Sequence, residues 1–511
     1  MKLERLPSLP TRRTQPQRNR LNPIAAATTP ADPDRPLSAD LSRPLCVDLD
    51  GTLVKSDTFF DSLCLLLRSH PASILLLPLW VARGGKARAK AEVASRVTLD
   101  VAHLPYNQAV LHFLQQQHRH GQPIYLTTGA DHSLADRVAR HIGLFTGVIA
   151  SDGTTNRVGK HKLASLRELF PAFDYIGNAP PDLPTLASSH HAYVANPTIG
   201  LRLALKTKNI PIREDLKDRS PLLRTLIKAV RVHQWAKNVL LFLPLLLSHK
   251  ITATSSLTAL TAFFCFSFIA SANYIVNDLL DIESDRHHPR KRFRPFAAGD
   301  LSTVTGTLMA MLLAAASCAL LPLLPVAFAL WLLFYVGATS AYSFYLKRVP
   351  LVDVLMLSGL YTLRMLAGGA ATNTPISPWL SSFAIFLFLS LAMVKRFSEL
   401  VSLRERGVSQ SHGRGYLVSD LDQIRSFATA SATAAVVVFS LYISRPDVDI
   451  LYRHSGRLWL IVPFMLFWLY RVLLLASRGE MNEDPVIFAI RDRVSLAIAA
   501  CIAILAAFAT L

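Results

Sequence analysis

The 511-residue sequence predicts two unlike domains, an α/β domain with a helical cap and then an all-α domain of about nine membrane-spanning helices. Three observations predict this. Short apolar runs alternate with amphipathic stretches up to about residue 197, the long apolar segments lie almost entirely after residue 225, and the later Lys and Arg cluster in a few loops. With 51% hydrophobic residues and a mean hydropathy of +0.32, the chain reads as a membrane protein with a soluble domain attached. Its net charge of +19 fits basic cytoplasmic loops against anionic lipid, so the expected partner is a bilayer and not nucleic acid. Cys46, Cys64, Cys265, Cys318 and Cys501 have neither paired nor metal-ligand spacing, which argues against a disulfide scaffold and against zinc.

Taken in order, residues 1–42 are rich in Pro, Thr and Arg, have no apolar run, and read as a disordered basic tail. Residues 43–200 form the α/β domain. Leu45-Cys46-Val47, Ile124-Tyr125-Leu126 and Tyr175-Ile176 end in polar turns and read as buried parallel strands. Residues 59–103 are helical in pattern and form the cap; within them the apolar piece 74–81 is too short to span a bilayer and reads as a cap or surface-docking helix. Residues 201–225 are a linker, and 226–511 the membrane domain.

The nine apolar segments lie near 233–249, 256–277, 304–323, 325–345, 350–371, 378–395, 424–444, 457–477 and 485–511. The first is short and the last carries Arg491 and Arg493, so the count holds to about one. Loops after the second and sixth segments (286–294 and 395–425) carry nearly all the loop Lys and Arg, and those after the third and fifth carry none. By the positive-inside rule the even-numbered segments end in the cytoplasm, together with the amino-terminal domain, which places the chain in the cell (inner) membrane.

Asp48-Leu49-Asp50-Gly51-Thr52-Leu53 follows the first expected strand, where a doubly wound sheet exposes its ligand site. Two aspartates two apart at a strand end point the same way. One can attack phosphorus and the other can protonate the leaving group, with Mg²⁺ neutralising charge between them. This stretch closely resembles the first motif of the haloacid dehalogenase superfamily, mostly phosphatases that pass through an aspartyl phosphate. The resemblance covers about residues 45–197 and implies a Rossmann-like fold. Thr128, at the end of the strand 124–127, matches the hydroxyl that bonds the phosphoryl group; Lys162 matches the charge-offsetting lysine, with Lys160 a weaker candidate. The metal ligands implied are Asp48, Asp50, Asn178 and Asp182. Gly177-Asn178 stands where the family has Gly-Asp, and a neutral ligand should weaken Mg²⁺ binding.

The run Asn277 to Pro295 puts four acidic and five basic residues directly after a segment apolar enough to cross a bilayer. Asn277, Asp281 and Asp285 are four apart, so on a helix they stack along one face and can hold Mg²⁺ against a diphosphate. The cluster resembles the first aspartate-rich motif of the UbiA superfamily of intramembrane prenyltransferases. Most members carry a second such motif. This chain instead has Tyr342-Ser343-Phe344-Tyr345-Leu346-Lys347, a lone Asp353, then Arg364 and Gly368-Gly369, which suits a phosphate monoester better than a second metal. With 233–238 (HQWAKN), 288–299 (HPxKRxRPxAxG) and 395–400 (KRFSEL), the pattern is similar to the decaprenyl-phosphate phosphoribosyltransferase branch.

That resemblance implies Mg²⁺-dependent transfer of 5-phosphoribose from phosphoribosyl diphosphate to a polyprenyl phosphate. Asn277, Asp281 and Asp285, assisted by Asp278, hold Mg²⁺ on the leaving diphosphate. Lys291, Arg292 and Arg294 clamp donor phosphates, and Lys237, Lys347 and Arg364 hold the acceptor phosphate. Tyr342, Asp353, Lys395 and Arg396 complete the substrate-binding set. On the same resemblance, the fused phosphatase-like domain would then remove the 5-phosphate, leaving polyprenyl phosphoryl ribose for envelope synthesis. Two alternatives stay open: an aromatic prenyltransferase with a regulatory phosphatase-like domain, and a transporter of phosphorylated lipids. Neither chain length of the acceptor nor oligomeric state follows from the sequence.

Overall fold

The computed structural model describes residues 43–510 apart from 153, 250, 409–413 and 482–484, so the expected basic tail lies outside the described residues. Six strands form one parallel sheet: β1 (Leu45–Asp48), β2 (Ile124–Asp131), β3 (Gly147–Ser151), β4 (Asp174–Gly177), β5 (Ala192–Ala195) and β6 (Glu214–Leu216), in the order β3-β2-β1-β4-β5-β6. Central strands covered on both faces need continuous apolar runs, and Leu45, Cys46 and Val47 are all buried. Strand order reverses beside β1. Its carboxyl end therefore opens on the crevice where such sheets bind ligands, and Asp48 stands there.

The sheet runs on past the expected boundary at residue 200. The expected linker holds the end of a helix, Ile199–Thr207, and strand β6, which pairs with β5. Glu214-Asp215-Leu216 is a short polar edge strand with no apolar run to announce it. The cap opens with α1 (Thr58–Ser69), whose first turn is capped by the Asp57 carboxylate accepting from the amides of Phe59 (3.0 Å) and Phe60 (3.2 Å). After a 3-10 stretch, Pro71–Leu76, comes α2 (Leu77–Ala94), broken at Gly84 and Gly85. Leu75, Leu76, Leu79 and Val81 remain exposed, an apolar band of the kind a surface-docking helix presents.

Among the described residues eight helices are long and apolar enough to cross a membrane: Ala253–Leu280, Thr303–Leu323, Val326–Phe344, Val352–Ala371, Pro378–Glu405, Val418–Ile443, Ser455–Ser477 and Arg493–Thr510. The expected first segment is not among them. It forms a 3-10 stretch, Val232–Phe242, and a short helix, Leu243–Leu247, because Pro244 lacks an amide donor and Asn238 turns inward to polar partners. This segment lies against the fourth span: a Cβ on Gly368 would sit 2.1 Å from the carbonyl oxygen of Leu241, so only glycine permits the approach.

The amino-terminal domain seats α1 on the charged loop after the first span. At the centre Arg286 donates to the Asp61 carboxylate (2.7 Å) and to Ser56 Oγ (3.0 Å), with both charged side chains buried. Glu283 accepts from the Asp100 amide (2.9 Å), and Lys55 pairs with Asp300 at 3.5 Å. Truncating one partner of a buried ion pair strands the other's charge. Asp61→Ala is therefore expected to destabilise the docked arrangement by about 3–5 kcal/mol. A drop in the thermal unfolding midpoint reads this out, and Asp61→Ala with Arg286→Met should recover most of it.

Candidate functional site

The α/β domain gathers its chemistry at the carboxyl end of β1. Lys162, in the first turn of the helix Lys160–Leu169, donates to Asp48 Oδ1 (2.7 Å), to Asp182 Oδ1 (3.2 Å) and to the Tyr175 hydroxyl (2.9 Å). Tyr175 in turn donates to Asp182 (2.8 Å), whose other oxygen accepts from the amides of Asn178 (3.1 Å) and Ala179 (3.2 Å). All four side chains are buried, whereas Lys160 is exposed. Asp50 accepts from the Thr58 amide (2.8 Å) and hydroxyl (2.7 Å), which ties the site to the start of α1.

Burial, opposed by Lys162 and reinforced by Asp182, pushes the Asp48 carboxyl up to about 7. Burial and then the charge of Asp57 push Asp50 up to about 7 as well. Burial pulls Lys162 down, but Asp48 and Asp182 outweigh it and leave the ammonium above its usual value. Thr128 is buried, and its Oγ1 accepts from the Ala130 amide (2.9 Å). It lies inside β2 and not at its end, because the strand continues through an irregularity to Asp131. Lys90 of α2 donates to the neighbouring Gly129 carbonyl (2.5 Å) and so closes the cap over the site; the sequence reading missed it.

Asn178 Oδ1 is buried and has no hydrogen-bond partner among the described residues. It sits beside the Asp48-to-Gly51 turn: a Cβ on Gly51, whose φ is +76°, would lie 2.0 Å from Asn178 Nδ2. An orphan amide oxygen beside two proton-seeking carboxylates fits a hard cation such as Mg²⁺.

The second constellation lies where the first span meets the charged loop. The helical ladder passes through the break at Asp281, with the Asp281 amide bonding Asn277 O (2.9 Å) and the Asp285 amide bonding Asp281 O (2.8 Å). Asn277 and Asp281 open onto a cavity of about 160 Å³, lined also by Asn273, Ser343, Arg348 and, from α1, Arg68. Asp281 Oδ2 accepts from Asn277 (3.3 Å) and Lys347 (3.4 Å), and Oδ1 accepts from Arg68. The other two carboxylates turn elsewhere. Arg294 donates to both Asp285 (2.7 Å) and Asp278 (3.0 Å), and Arg231 grips Asp278 at 2.5 and 2.7 Å.

The expected Asn277-Asp281-Asp285 stack is thus divided: two members face the cavity and the third is buried against an arginine returning from the loop. Asn273 Nδ2, one turn before Asn277, is buried without a partner among the described residues, a donor suited to an anionic oxygen. An amide oxygen and a carboxylate, ringed by cations and an orphan donor, fit a metal-bound polyanion.

A model of the UbiA prenyltransferase family matches residues 239–490. The y4nM protein of Sinorhizobium fredii is 35% identical over 468 residues, covering 91% of this chain and 90% of the relative. The chain belongs to the UbiA prenyltransferase family. Nodulation protein NoeC of Azorhizobium caulinodans is 34% identical over 284 residues, covering 53% of this chain and 89% of its own. The decaprenyl-phosphate phosphoribosyltransferase of Mycobacterium tuberculosis is 33% identical over 296 residues, covering 55% of this chain and 93% of its own.

Within the UbiA domain the remaining candidates fall into three groups. Lys237 and Arg364 share the Tyr361 ring, at 5.4 and 5.6 Å from its centroid, and Arg364 also donates to Asn238 (2.9 Å). Lys291 is half-buried, and burial and then Arg294 hold its ammonium below the usual value; Arg292 is exposed over the Phe293 ring and does not line the cavity. Tyr342 and Lys395 are half-buried and lie near Asp353 and Arg396. Asp353 and Arg396, expected among the substrate-binding residues, lie against each other. They pair with each other at 2.6 Å, both wholly buried between the fourth and fifth spans, and Tyr416 donates to Asp353 (2.5 Å). Arg396 also pairs with Glu399, while Asp353 Oδ2 and Arg396 Nε and Nη2 have no hydrogen-bond partner among the described residues.

Proposed function

We propose that the UbiA domain transfers 5-phosphoribose from phosphoribosyl diphosphate to a polyprenyl phosphate, and that the amino-terminal domain is a haloacid dehalogenase-like phosphatase acting on the product. The observation that carries this reading is the cavity at the end of the first span, where Asn277 and Asp281 face Arg68, Lys347 and Arg348. The likeness to a decaprenyl-phosphate phosphoribosyltransferase supports the choice of donor and acceptor.

Asn277 and Asp281 would hold Mg²⁺, which offsets charge on the departing diphosphate. As the bond from the ribose anomeric carbon to diphosphate oxygen breaks, oxocarbenium character develops at that carbon. The acceptor's phosphate oxygen, already anionic at neutral pH, attacks it, so no base is needed. Lys347 and Lys291 clamp the diphosphate end, while Arg294 fixes the loop by neutralising Asp278 and Asp285. Lys237 and Arg364, which share the Tyr361 ring, would hold the acceptor phosphate. The lipid tail lies among the spans.

In the amino-terminal domain Asp48, Asp50 and Asn178 would hold Mg²⁺ to offset phosphoryl charge, with Asp182 positioning Lys162. Asp48 attacks the 5-phosphate phosphorus, the ribose oxygen leaves with a proton from Asp50, and water then releases phosphate from the aspartyl ester. Bonds from the Thr58 amide and hydroxyl fix the Asp50 carboxyl for that task. The positive-inside rule, applied to the basic loops, supports a cytoplasmic side of the cell membrane for this domain.

Incubating the purified protein with a polyprenyl phosphate, phosphoribosyl diphosphate and Mg²⁺ tests the reading by lipid mass spectrometry. A ribosyl lipid is the expected product. A phosphoribosyl lipid would remove the phosphatase step, and an unchanged lipid without diphosphate release would remove the transferase.

A further inference from the structure

We infer that Arg68, contributed by the amino-terminal domain, is a phosphate-binding residue of the UbiA-domain cavity. This rests on reading that cavity as a diphosphate site. Arg68 lies in the last turn of α1 and lines the cavity beside Asn273, Asn277 and Asp281. Its Nη1 donates to the Asp281 carboxylate and to the Leu280 carbonyl (3.3 Å). No residue of the membrane domain itself reaches Asp281 Oδ1 among the described contacts.

The helix that carries Arg68 is fixed in its first turn and packed further on. Asp57 caps it, Thr58 bonds Asp50 and Asp61 is locked to Arg286 within that turn, and Leu66, two residues before Arg68, is fully buried. A side chain borne on so constrained an element is presented with little freedom in its base, as a binding group requires. The head remains reachable, with 28% of the side chain exposed.

Charge points the same way. Arg68 and Lys347 both meet the single carboxylate of Asp281, and Arg348 lines the same cavity, so positive charge is in surplus there. An ion pair whose only purpose was to fasten two domains would need no surplus. A cavity that receives a polyanion does, and the planar guanidinium fork matches two oxygens of a phosphate group better than an ammonium does. Thr58 and Arg68 stand ten residues apart, about 15 Å of helix, so α1 touches the Asp50 site with one end and the Asp281 site with the other. The transferase site is thereby completed by the domain that would process its product.

The test is titration of the full-length protein in nanodiscs with inorganic diphosphate and Mg²⁺, followed by calorimetry, for the wild type, Arg68→Ala, Arg68→Lys and Asp281→Asn. The binding that Asp281→Asn removes defines the cavity. Arg68→Ala is expected to weaken that binding about tenfold or more, the worth of one charge-assisted bond, and Arg68→Lys to recover part of it at an unchanged thermal midpoint. Wild-type affinity in Arg68→Ala, with binding lost in Asp281→Asn, overturns the role of Arg68 alone. Affinity unchanged in both overturns the diphosphate reading of the cavity. If Arg68→Ala does not fold, Arg68→Gln carries the same comparison with most of the stem kept.

Discussion

Asp281→Asn is expected to lower diphosphate release by about a hundredfold or more, roughly 3 kcal/mol of transition-state stabilisation, while the protein stays folded. Asp281 is the carboxylate that the structure leaves facing the cavity, since Asp278 and Asp285 are taken up by Arg231 and Arg294. Its charge has the most to do as the diphosphate departs and negative charge collects on it. The amide keeps one acceptor oxygen, for either Arg68 or the Asn277 and Lys347 donors, and turns its NH2 to the other; the side chain lies at a half-buried cavity edge, so the loss should fall on turnover more than on folding. A coupled diphosphate assay run beside thermal unfolding separates the two. Wild-type turnover in this variant would remove Asp281 from the metal site.

Why the sequence announced this residue but not its surroundings follows from range. Four-residue spacing on a helix is local information, so Asn277, Asp281 and Asp285 could be put on one face from the sequence alone. Which of them stays free depends on Arg294, which returns from the loop to take Asp285 and Asp278 together. Asn273 carries the same spacing one turn earlier, inside an apolar segment. The Asp61–Arg286 pair joins residues 225 apart and Arg68–Asp281 residues 213 apart, and nothing local marks either. Asp353 and Arg396 come together for a related reason: they stand on facing spans, and no local spacing shows that they pair.

The amino-terminal domain was legible in a different way. Buried parallel strands are continuous apolar runs, and a charged residue ending such a run marks the ligand side of the sheet, which is how Asp48 stands out. Lys162 and Asp182 converge on Asp48 because both follow sheet strands at that same edge. The polar strand β6 has no such run and falls in the expected linker.

Asp48→Asn is expected to leave diphosphate release at the wild-type rate while the lipid product keeps its 5-phosphate, with phosphate removal slowed about a thousandfold or more. Asparagine cannot supply the attacking oxygen, whereas the surrounding bonds largely survive: Lys162 retains Asp182 at 3.2 Å and Tyr175 at 2.9 Å. Asp48 is buried at the sheet edge and is not among the residues that line the UbiA-domain cavity, so the first step should not register its loss. Asn178 makes the experiment decisive, because a neutral ligand in place of a carboxylate lowers the affinity for Mg²⁺ and raises the concentration needed for turnover. Run at saturating Mg²⁺, a wild-type product that carries the 5-phosphate just as the variant's does would mean that Asp48 is not a nucleophile toward this lipid. The Asp48–Lys162–Asp182 network would then be a fold kept for α1, whose fixed position delivers Arg68 to the membrane site.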